Sequence, residues 1–158
     1  MWWPFRKKAV ARACAGEPAN AGREHGKWGE DVAAAWLASH GYSIVERNAR
    51  PYARDRRLEI DIVAYEKKTD ALVFVEVKQH ARVSPFQRRL RSVDSRKRQL
   101  LLRACRAWMR TARWRGSHRF DVIEVYGTPK ARAPPRIDHI ERVRLFTPPA
   151  RFVDWYGD

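Results

Sequence analysis

The chain has 158 residues, enough for one domain with its own core and too few for two. Lys and Arg number 33 against 18 Asp and Glu, so the net charge is +15, and a field this positive favours nucleic acid as the partner. No apolar run reaches the roughly 18 residues of a membrane-spanning helix, which excludes that class. Docking on acidic proteins or on an anionic membrane surface is the alternative explanation of the charge. We expect a nucleic-acid partner and no membrane partner.

The cysteines and histidines give no metal or disulfide pattern. Cys14 and Cys105 lie far apart, with neither a metal-ligand spacing nor a disulfide framework around them. The five His residues follow no zinc-binding spacing, so zinc is not indicated. The first ten residues lack an apolar segment long enough for a signal peptide. A reducing cytoplasm is therefore the expected location.

The predicted domain lies between two tails. Residues 1–23 are basic and Ala-rich, with glycine and proline that predict poor order. An α/β domain is expected over residues 24–147, and residues 148–158 form a C-terminal tail. The first predicted helix covers residues 26–40, and Gly41 is the residue expected to end it. Its apolar side is formed by Trp28, Val32, Ala33, Trp36 and Leu37.

The rest of the domain alternates strands with one long helix. A strand at about 42–49 precedes two runs rich in β-branched residues, 58–65 and 71–78, which are typical of a hairpin. A basic helix is expected over about 93–112, with Gly116 as the breaker after it. Its buried stripe would be Val93, Leu100, Leu101, Ala104 and Trp108. Strands at 119–126 and about 137–145 follow, and the whole pattern predicts an α/β sandwich around a mixed sheet.

The hairpin carries acidic residues where burial is expected. Asp61 stands inside LEIDIVA and Glu76 inside VFVEVK, each between apolar neighbours. A buried carboxylate costs several kcal/mol unless it is paired or bound to a metal. Both residues are therefore candidates for a polar site.

Strand parity predicts which side chains meet. A four-residue hairpin loop, 67–70, pairs Glu66 with Ala71. An odd loop would mix acids into the apolar face, so the even register is favoured. That register places two pairs opposite each other, Asp61 with Glu76 and Glu59 with Lys78. It also leaves a wholly apolar reverse face of Leu58, Ile60, Ile62, Val73, Val75 and Val77.

Two carboxylates and the ammonium of Lys78 would then converge on one patch. Hard oxygen ligands of this kind hold Mg²⁺ or Mn²⁺ with positions open for water and phosphate. Such a metal can polarise a phosphoryl oxygen and activate water, and a nearby lysine can stabilise the charged phosphate. The alternative is a structural ion-pair cluster on an exposed sheet face. Geometry alone leaves both explanations open.

Two further charges point inward on the predicted helices. Glu30 lies at the edge of the first helix's apolar side, and Lys97 lies within the stripe of the second helix. Taken singly, Glu30 is explained as a surface glutamate and Lys97 as a lysine that extends its charged end to solvent. Together with the acid pair they favour a polar site.

The motifs resemble those of a known bacterial family. GKWGED (26–31), LEIDIVA (58–64), VFVEVK (73–78), Lys97 and RFDVI (119–123) resemble the YraN-type predicted endonucleases. That family is similar to archaeal Holliday junction resolvases, within the restriction-endonuclease-like superfamily. The resemblance extends from about residue 22 to residue 145. The chain departs from the family pattern at Leu58, where Gly is usual, and at His80, where Arg is common.

The resemblance implies a restriction-endonuclease-like fold, with a central mixed sheet flanked by helices, and a Mg²⁺-dependent nuclease. It implies Asp61 and Glu76 as metal ligands, Lys78 as the catalytic lysine and Glu30 as an accessory acid. It also suggests branched DNA as the substrate and a homodimer as the assembly, since a two-fold dimer would cut a four-way junction symmetrically.

A basic segment runs from residue 86 to residue 119 and contains one acid, Asp94. Its charges would bind phosphates without reading sequence. The alternative is a solvated helix face. Trp114 could stack on an exposed base or pack in the core. The candidate nucleic-acid-binding residues are Arg88, Arg89, Arg91, Arg96, Lys97, Arg98 and Arg103.

Three functions remain open on the sequence. The first is a metal-dependent, structure-selective endonuclease. The second is a non-catalytic nucleic-acid-binding module with a vestigial nuclease site. The third is a scaffold that binds RNA or an acidic protein. The sequence does not distinguish DNA from RNA, nor does it fix the number of metal ions.

Overall fold

The computed structural model describes residues 21–52, 55, 57–82 and 95–145. Within these residues the chain forms two helices and five strands: α1 (Ala21–Ser39), β1 (Tyr42–Ala49), β2 (Ile60–Glu66), β3 (Ala71–His80), α2 (Ser95–Ala112), β4 (Ser117–Tyr126) and β5 (Arg136–Ile140). The tail predicted at residues 1–23 lies outside the described part up to residue 20, as does the whole C-terminal tail. No helix in the described ranges is long and apolar enough to cross a membrane.

The five described strands form one mixed sheet in the order β1-β2-β3-β4-β5. Three neighbouring pairs are antiparallel, and β3 pairs with β4 in parallel through the crossover that contains α2. A parallel neighbour needs such a crossover, and a helix is its usual form. The predicted α/β class is confirmed, and the architecture is consistent with a restriction-endonuclease-like fold.

The hairpin register is the one that parity predicted. Glu66 pairs with Ala71, and the ladder continues to the pair Ile62–Val75. The four loop residues between the strands include Asp70, which adopts a positive φ of 52°. Because side chains alternate along a strand, Glu76 and Lys78 share one face of β3 while Val73 and Val75 share the other.

Each face of the sheet is covered by one helix. On the α1 face, Ala33 and Leu37 pack against Ile62, Val73 and Val75. The α2 face has its own apolar cluster, whose members include Val63, Leu72, Phe74, Leu101, Ala104 and Trp108. The predicted apolar sides of both helices are therefore confirmed, except for Val93, which lies outside the described residues.

One predicted face is partly wrong. Leu58 and Ile60 pack into the α2-side cluster rather than the α1 side, and Glu59 forms an ion pair with Arg50 at 2.8 Å instead of facing Lys78. The reason is that β2 begins only at Ile60 and its recorded pairing with β3 starts at Ile62. Strand alternation does not extend to residues that precede the ladder.

Two left-handed residues end the helices. Gly41, with a φ of 88°, follows α1 as predicted. After α2 this position is taken by Arg113, with a φ of 53°, rather than by Gly116. The amide of Arg113 bonds to the carbonyl of Arg110 and that of Trp114 to the carbonyl of Met109, which is the Schellman arrangement.

Candidate active site

The acid pair lies on adjacent strands at the α2 face of the sheet. Oδ2 of Asp61 on β2 accepts a hydrogen bond of 2.7 Å from the backbone amide of Val77 on β3. Glu76 is only 2% exposed, and Nζ of Lys78 lies 2.8 Å from its Oε1. The structure therefore brings together Asp61, Glu76 and Lys78, the three residues that the hairpin register predicted to converge.

Burial dominates the electrostatics of Asp61. Removal from water, followed by the charge of Glu76, raises the pKa of Asp61 to about 7. The amide of Val77 acts in the opposite direction because it stabilises the ionised carboxylate. A carboxyl group in this state is protonated at acidic pH and ionises near neutrality, where a nearby cation would favour the charged form.

Lys97 reaches this site from α2. Its ammonium also contacts Oε1 of Glu76, so two lysines converge on one carboxylate oxygen. Burial lowers the pKa of Lys97, but the charge and hydrogen bond of Glu76 outweigh it, so the net shift is upward. The inward position predicted for Lys97 is thus observed, although its side chain is still 44% exposed.

Glu30 approaches the pair from α1. A Cβ at the neighbouring Gly29 would lie 2.9 Å from Cβ of Gln79, so glycine permits the close approach of α1 to β3. Glu30 accepts a 2.7 Å hydrogen bond from Asn48 on β1. Its negative charge contributes to the raised pKa of Asp61. Glu30 therefore borders the site.

The donor set fits a hydrated divalent cation. Among the described residues, no group of three or more His, Cys, Asp or Glu side chains is arranged to hold a metal. Mg²⁺, however, keeps several waters and binds through one or two carboxylates together with substrate phosphate. Asp61 and Glu76 would supply those carboxylates, and a cation between them would relieve the repulsion that raises the pKa of Asp61.

A second polar group on the same face went unpredicted. Glu124 on β4 is 4% exposed and accepts a 2.7 Å hydrogen bond from the hydroxyl of Tyr126. The register places it opposite Lys78, with His80 opposite Tyr126. Nε2 of His80 is buried, has no hydrogen-bond partner in the described part of the chain and lies 3.9 Å from Oε1 of Glu124. The available signal was again an acid between apolar strand residues, in VIEVY.

The RFDVI motif forms a separate, buried ion network. Nε of Arg119 lies 3.1 Å from Asp121, which is fully buried and also bonds to His139 at 2.9 Å. Arg119 contacts Glu66 as well, and that bond is the main reason that the pKa of Glu66 falls to about 2. Asp121 is two residues from Ile123 of the α1-side core and shares its face of β4, so this network lies on the face opposite the acid pair.

The candidate nucleic-acid surface is only partly described. Arg96 and Arg103 on α2 are exposed, and Arg98 is half-buried. Trp114 is half-buried, stands edge-on to Tyr65 and donates to the carbonyl of Ser117, which favours core packing over base stacking. Three of the predicted contact residues lie outside the described part of the chain, namely Arg88, Arg89 and Arg91.

Most of the described domain matches a known protein family. Residues 29–125 match the model of the family described as Uncharacterised protein family UPF0102. The chain belongs to this family. It is the YraN-type predicted endonuclease family, so the resemblance of the motifs is confirmed. The matched span contains the acid pair, both site lysines, Glu30 and the RFDVI motif.

Relatives in several bacteria match most of the chain. A UPF0102 protein of Caldanaerobacter subterraneus subsp. tengcongensis is 33% identical over 116 residues, which is 73% of this chain and 89% of the relative. One from Bacteroides thetaiotaomicron is 39% identical over 126 residues, which is 80% of this chain and 94% of the relative. One from Chromohalobacter salexigens is 36% identical over 110 residues, which is 70% of this chain and 84% of the relative. Their names give the family alone, so the function must be argued from the site.

Proposed function

We propose that the chain is a metal-dependent endonuclease that hydrolyses phosphodiester bonds in DNA. The observation that supports this most is the meeting of Asp61 and Glu76 on neighbouring strands, where burial and mutual repulsion raise the pKa of Asp61 to about 7. Two carboxylates held together in this way are unfavourable unless a cation joins them.

Each site residue would have its own role in hydrolysis. Mg²⁺ or Mn²⁺, when bound by Asp61 and Glu76, supplies Lewis acidity toward the phosphate and toward a bound water. Lys78, fixed by its 2.8 Å contact with Glu76, would stabilise negative charge that develops on the phosphate. Lys97 keeps its charge through the raised pKa and would hold the phosphate from the α2 side.

The charge of the chain supports a nucleic acid as the substrate. The net charge of +15 and the arginines of α2 would bind the phosphate backbone. Selectivity for branched DNA, a homodimer and a cytoplasmic location belong to the same proposal through the family's similarity to Holliday junction resolvases. The free, buried thiol of Cys105 is compatible with that location.

A cleavage panel tests this function. End-labelled four-way junction, flap, duplex and single-stranded DNA, with RNA counterparts, are incubated with Mg²⁺, Mn²⁺ or EDTA. We expect metal-dependent cleavage of DNA that falls by about 10²-fold or more in Glu76→Gln and Lys78→Met. The control Lys130→Met removes one exposed charge from the β4–β5 connection and should cleave normally. Cleavage that survives both site substitutions would refute the assignment.

One observation favours a second candidate, a nucleic-acid-binding module without turnover. Both Lys78 and Lys97 contact Oε1 of Glu76, so its charge is already compensated within the protein. This candidate predicts salt-sensitive DNA binding, no heat in Mn²⁺ calorimetry and no rise in unfolding temperature with Mn²⁺. Measurable Mn²⁺ binding that Glu76→Gln abolishes would instead support the endonuclease.

A further inference from the structure

An open pocket lies between the loop that precedes β2 and the helix α2. It has a volume of about 540 Å³ and is lined by Tyr52, Asp55, Arg57, Leu58 and Arg103. Leu58 is 1% exposed and belongs to the core, so it gives the pocket an apolar floor. The other lining groups are one aromatic ring, one carboxylate and two guanidinium groups.

Tyr52 is unusual on this surface. It is the one exposed large apolar side chain among the described residues, with 41% of its area accessible. Its hydroxyl accepts a hydrogen bond from Arg110 on α2, which fixes the ring in place. The amide of Asp55 bonds to the carbonyl of Tyr52, and that of Leu58 to the carbonyl of Asp55. A ring that is both exposed and held in position is suited to stacking against a nucleobase.

The charged groups that line the pocket, among the described residues, favour a phosphate as the ligand. Arg57 binds the carboxylate of Asp55 through two nitrogens, at 2.8 and 2.9 Å. This bond is the largest cause of the lowered pKa of Asp55, and the charge of Arg103 adds to it. Among the described lining residues, two guanidinium groups face one carboxylate, so their summed charge is positive and suits a backbone phosphate.

Two residues that line the pocket are close in sequence to residues of the candidate active site. Leu58 precedes Asp61 by three residues, and Arg103 follows Lys97 by six residues on α2. Six residues of α-helix span about 9 Å, or roughly three steps of a stacked DNA strand. A strand whose phosphate lies beside Lys97 and that wraps along α2 would bring a nearby nucleotide to the pocket.

We propose that this pocket binds one unpaired nucleotide of the substrate, with the base against Tyr52 and its phosphate beside Arg57 and Arg103. A base inside a duplex is stacked and paired, so only DNA with an unpaired nucleotide near the reacting phosphate would fill the pocket. The choice of DNA as the ligand rests on the proposed function. The pocket then selects DNA that carries a single-stranded branch.

Binding without cleavage tests the pocket. Fluorescence anisotropy in EDTA compares a flap DNA with the same flap in which the unpaired nucleotides are abasic, so phosphates stay and bases are lost. Wild-type protein should bind the base-containing flap about 10-fold more tightly, as expected for stacking of one base. Tyr52→Leu should remove this preference, and Arg103→Gln should weaken binding of both flaps. Lys130→Gln, with the same loss of charge on another surface, should keep the preference.

The outcomes separate the pocket from the endonuclease. Equal affinity of wild-type protein for the two flaps, or a preference that persists in Tyr52→Leu, overturns the pocket proposal. A preference without metal-dependent cleavage leaves the pocket standing and overturns the endonuclease. Metal-dependent cleavage without a preference for the base-containing flap leaves the endonuclease standing and overturns the pocket proposal.

Discussion

The backbone amide of Val77 donates a 2.7 Å hydrogen bond to the side chain of Asp61 on the neighbouring strand. This bond lies next to Glu76 and beyond the last recorded pair of the β2–β3 ladder, Ile62–Val75. The carboxylate of Asp61 therefore continues the contact between the strands past the end of the ladder. Its position is fixed by the sheet itself.

Asp61 should make the metal-free protein more stable in acid than near neutrality. Its pKa is about 7 in the fold, against about 3.9 for an ordinary Asp, so the folded state binds the proton more tightly. This contribution is complete below about pH 4 and is lost as the pH rises through about 7. Thermal unfolding in EDTA across this range should show the decline, amounting to a few kcal/mol.

Two controls accompany the pH experiment. Asp61→Asn keeps an oxygen that can accept from Val77 but has no proton to lose, so its stability should change less over the same pH range. Excess Mn²⁺ should flatten the wild-type curve because the cation favours the ionised form. Identical pH curves for wild type and Asp61→Asn would contradict the raised pKa.

Lys97 should compete with a cation for Glu76. Its ammonium contacts the same Oε1 as Lys78, so Lys97→Met removes one positive charge from the ligand. We expect the dissociation constant for Mn²⁺, measured by calorimetry, to fall by about tenfold, because unit charges near a protein surface repel by a few kcal/mol before screening. Lys130→Met should leave the constant unchanged. A weaker affinity in Lys97→Met would show that this lysine supports the site rather than opposes the metal.

The buried network on β4 should be a major source of stability. Asp121 is fully buried and bonds to Arg119 and His139, so Asp121→Ala leaves those groups without their shared partner. Such losses cost about 3–5 kcal/mol, measurable as a lower free energy of unfolding in urea. Asp138→Ala removes the carboxylate from a pair with the exposed Arg136 and should cost less than about 1 kcal/mol. Equal costs for the two variants would contradict the difference in burial.

His80→Arg should stabilise the protein. Nε2 of His80 has no hydrogen-bond partner among the described residues, and Glu124 is 3.9 Å away, within reach of the longer guanidinium. The new bond should add about 1 kcal/mol to the free energy of unfolding in urea. His80→Leu removes this nitrogen without adding a second partner for Glu124 and should gain less. A loss of stability in His80→Arg would mean that the space beside Tyr126 is too small.

The sequence predicted most of the hairpin because its geometry is local. A loop of four residues and the apolar side of β3 fix the register, and with it the meeting of Asp61 and Glu76. The prediction failed at Glu59 and at Ile60, where β2 has only begun. Strand parity applies inside a ladder, and the end of the ladder depends on the backbone beyond it.

Contacts between residues on the two sides of the crossover could not be predicted from the sequence. Glu124 lies opposite Lys78 through a parallel pairing across the crossover that contains α2, and no short loop encodes its register. Tyr52 is held by Arg110, which follows 58 residues later. Both are long-range relationships between residues whose local patterns are ordinary. They became visible only when the strands and helices were placed together.

The central place of β3 in the sheet also determines how the site survives fluctuations. Strand β3 has a neighbour on each side, and an apolar cluster packs on each of its faces. Amides in such a strand exchange with deuterium only when much of the domain opens, whereas the ends of an edge strand such as β5 fray more readily. Glu76 and Lys78 should therefore keep their spacing through partial openings that separate the outer strands.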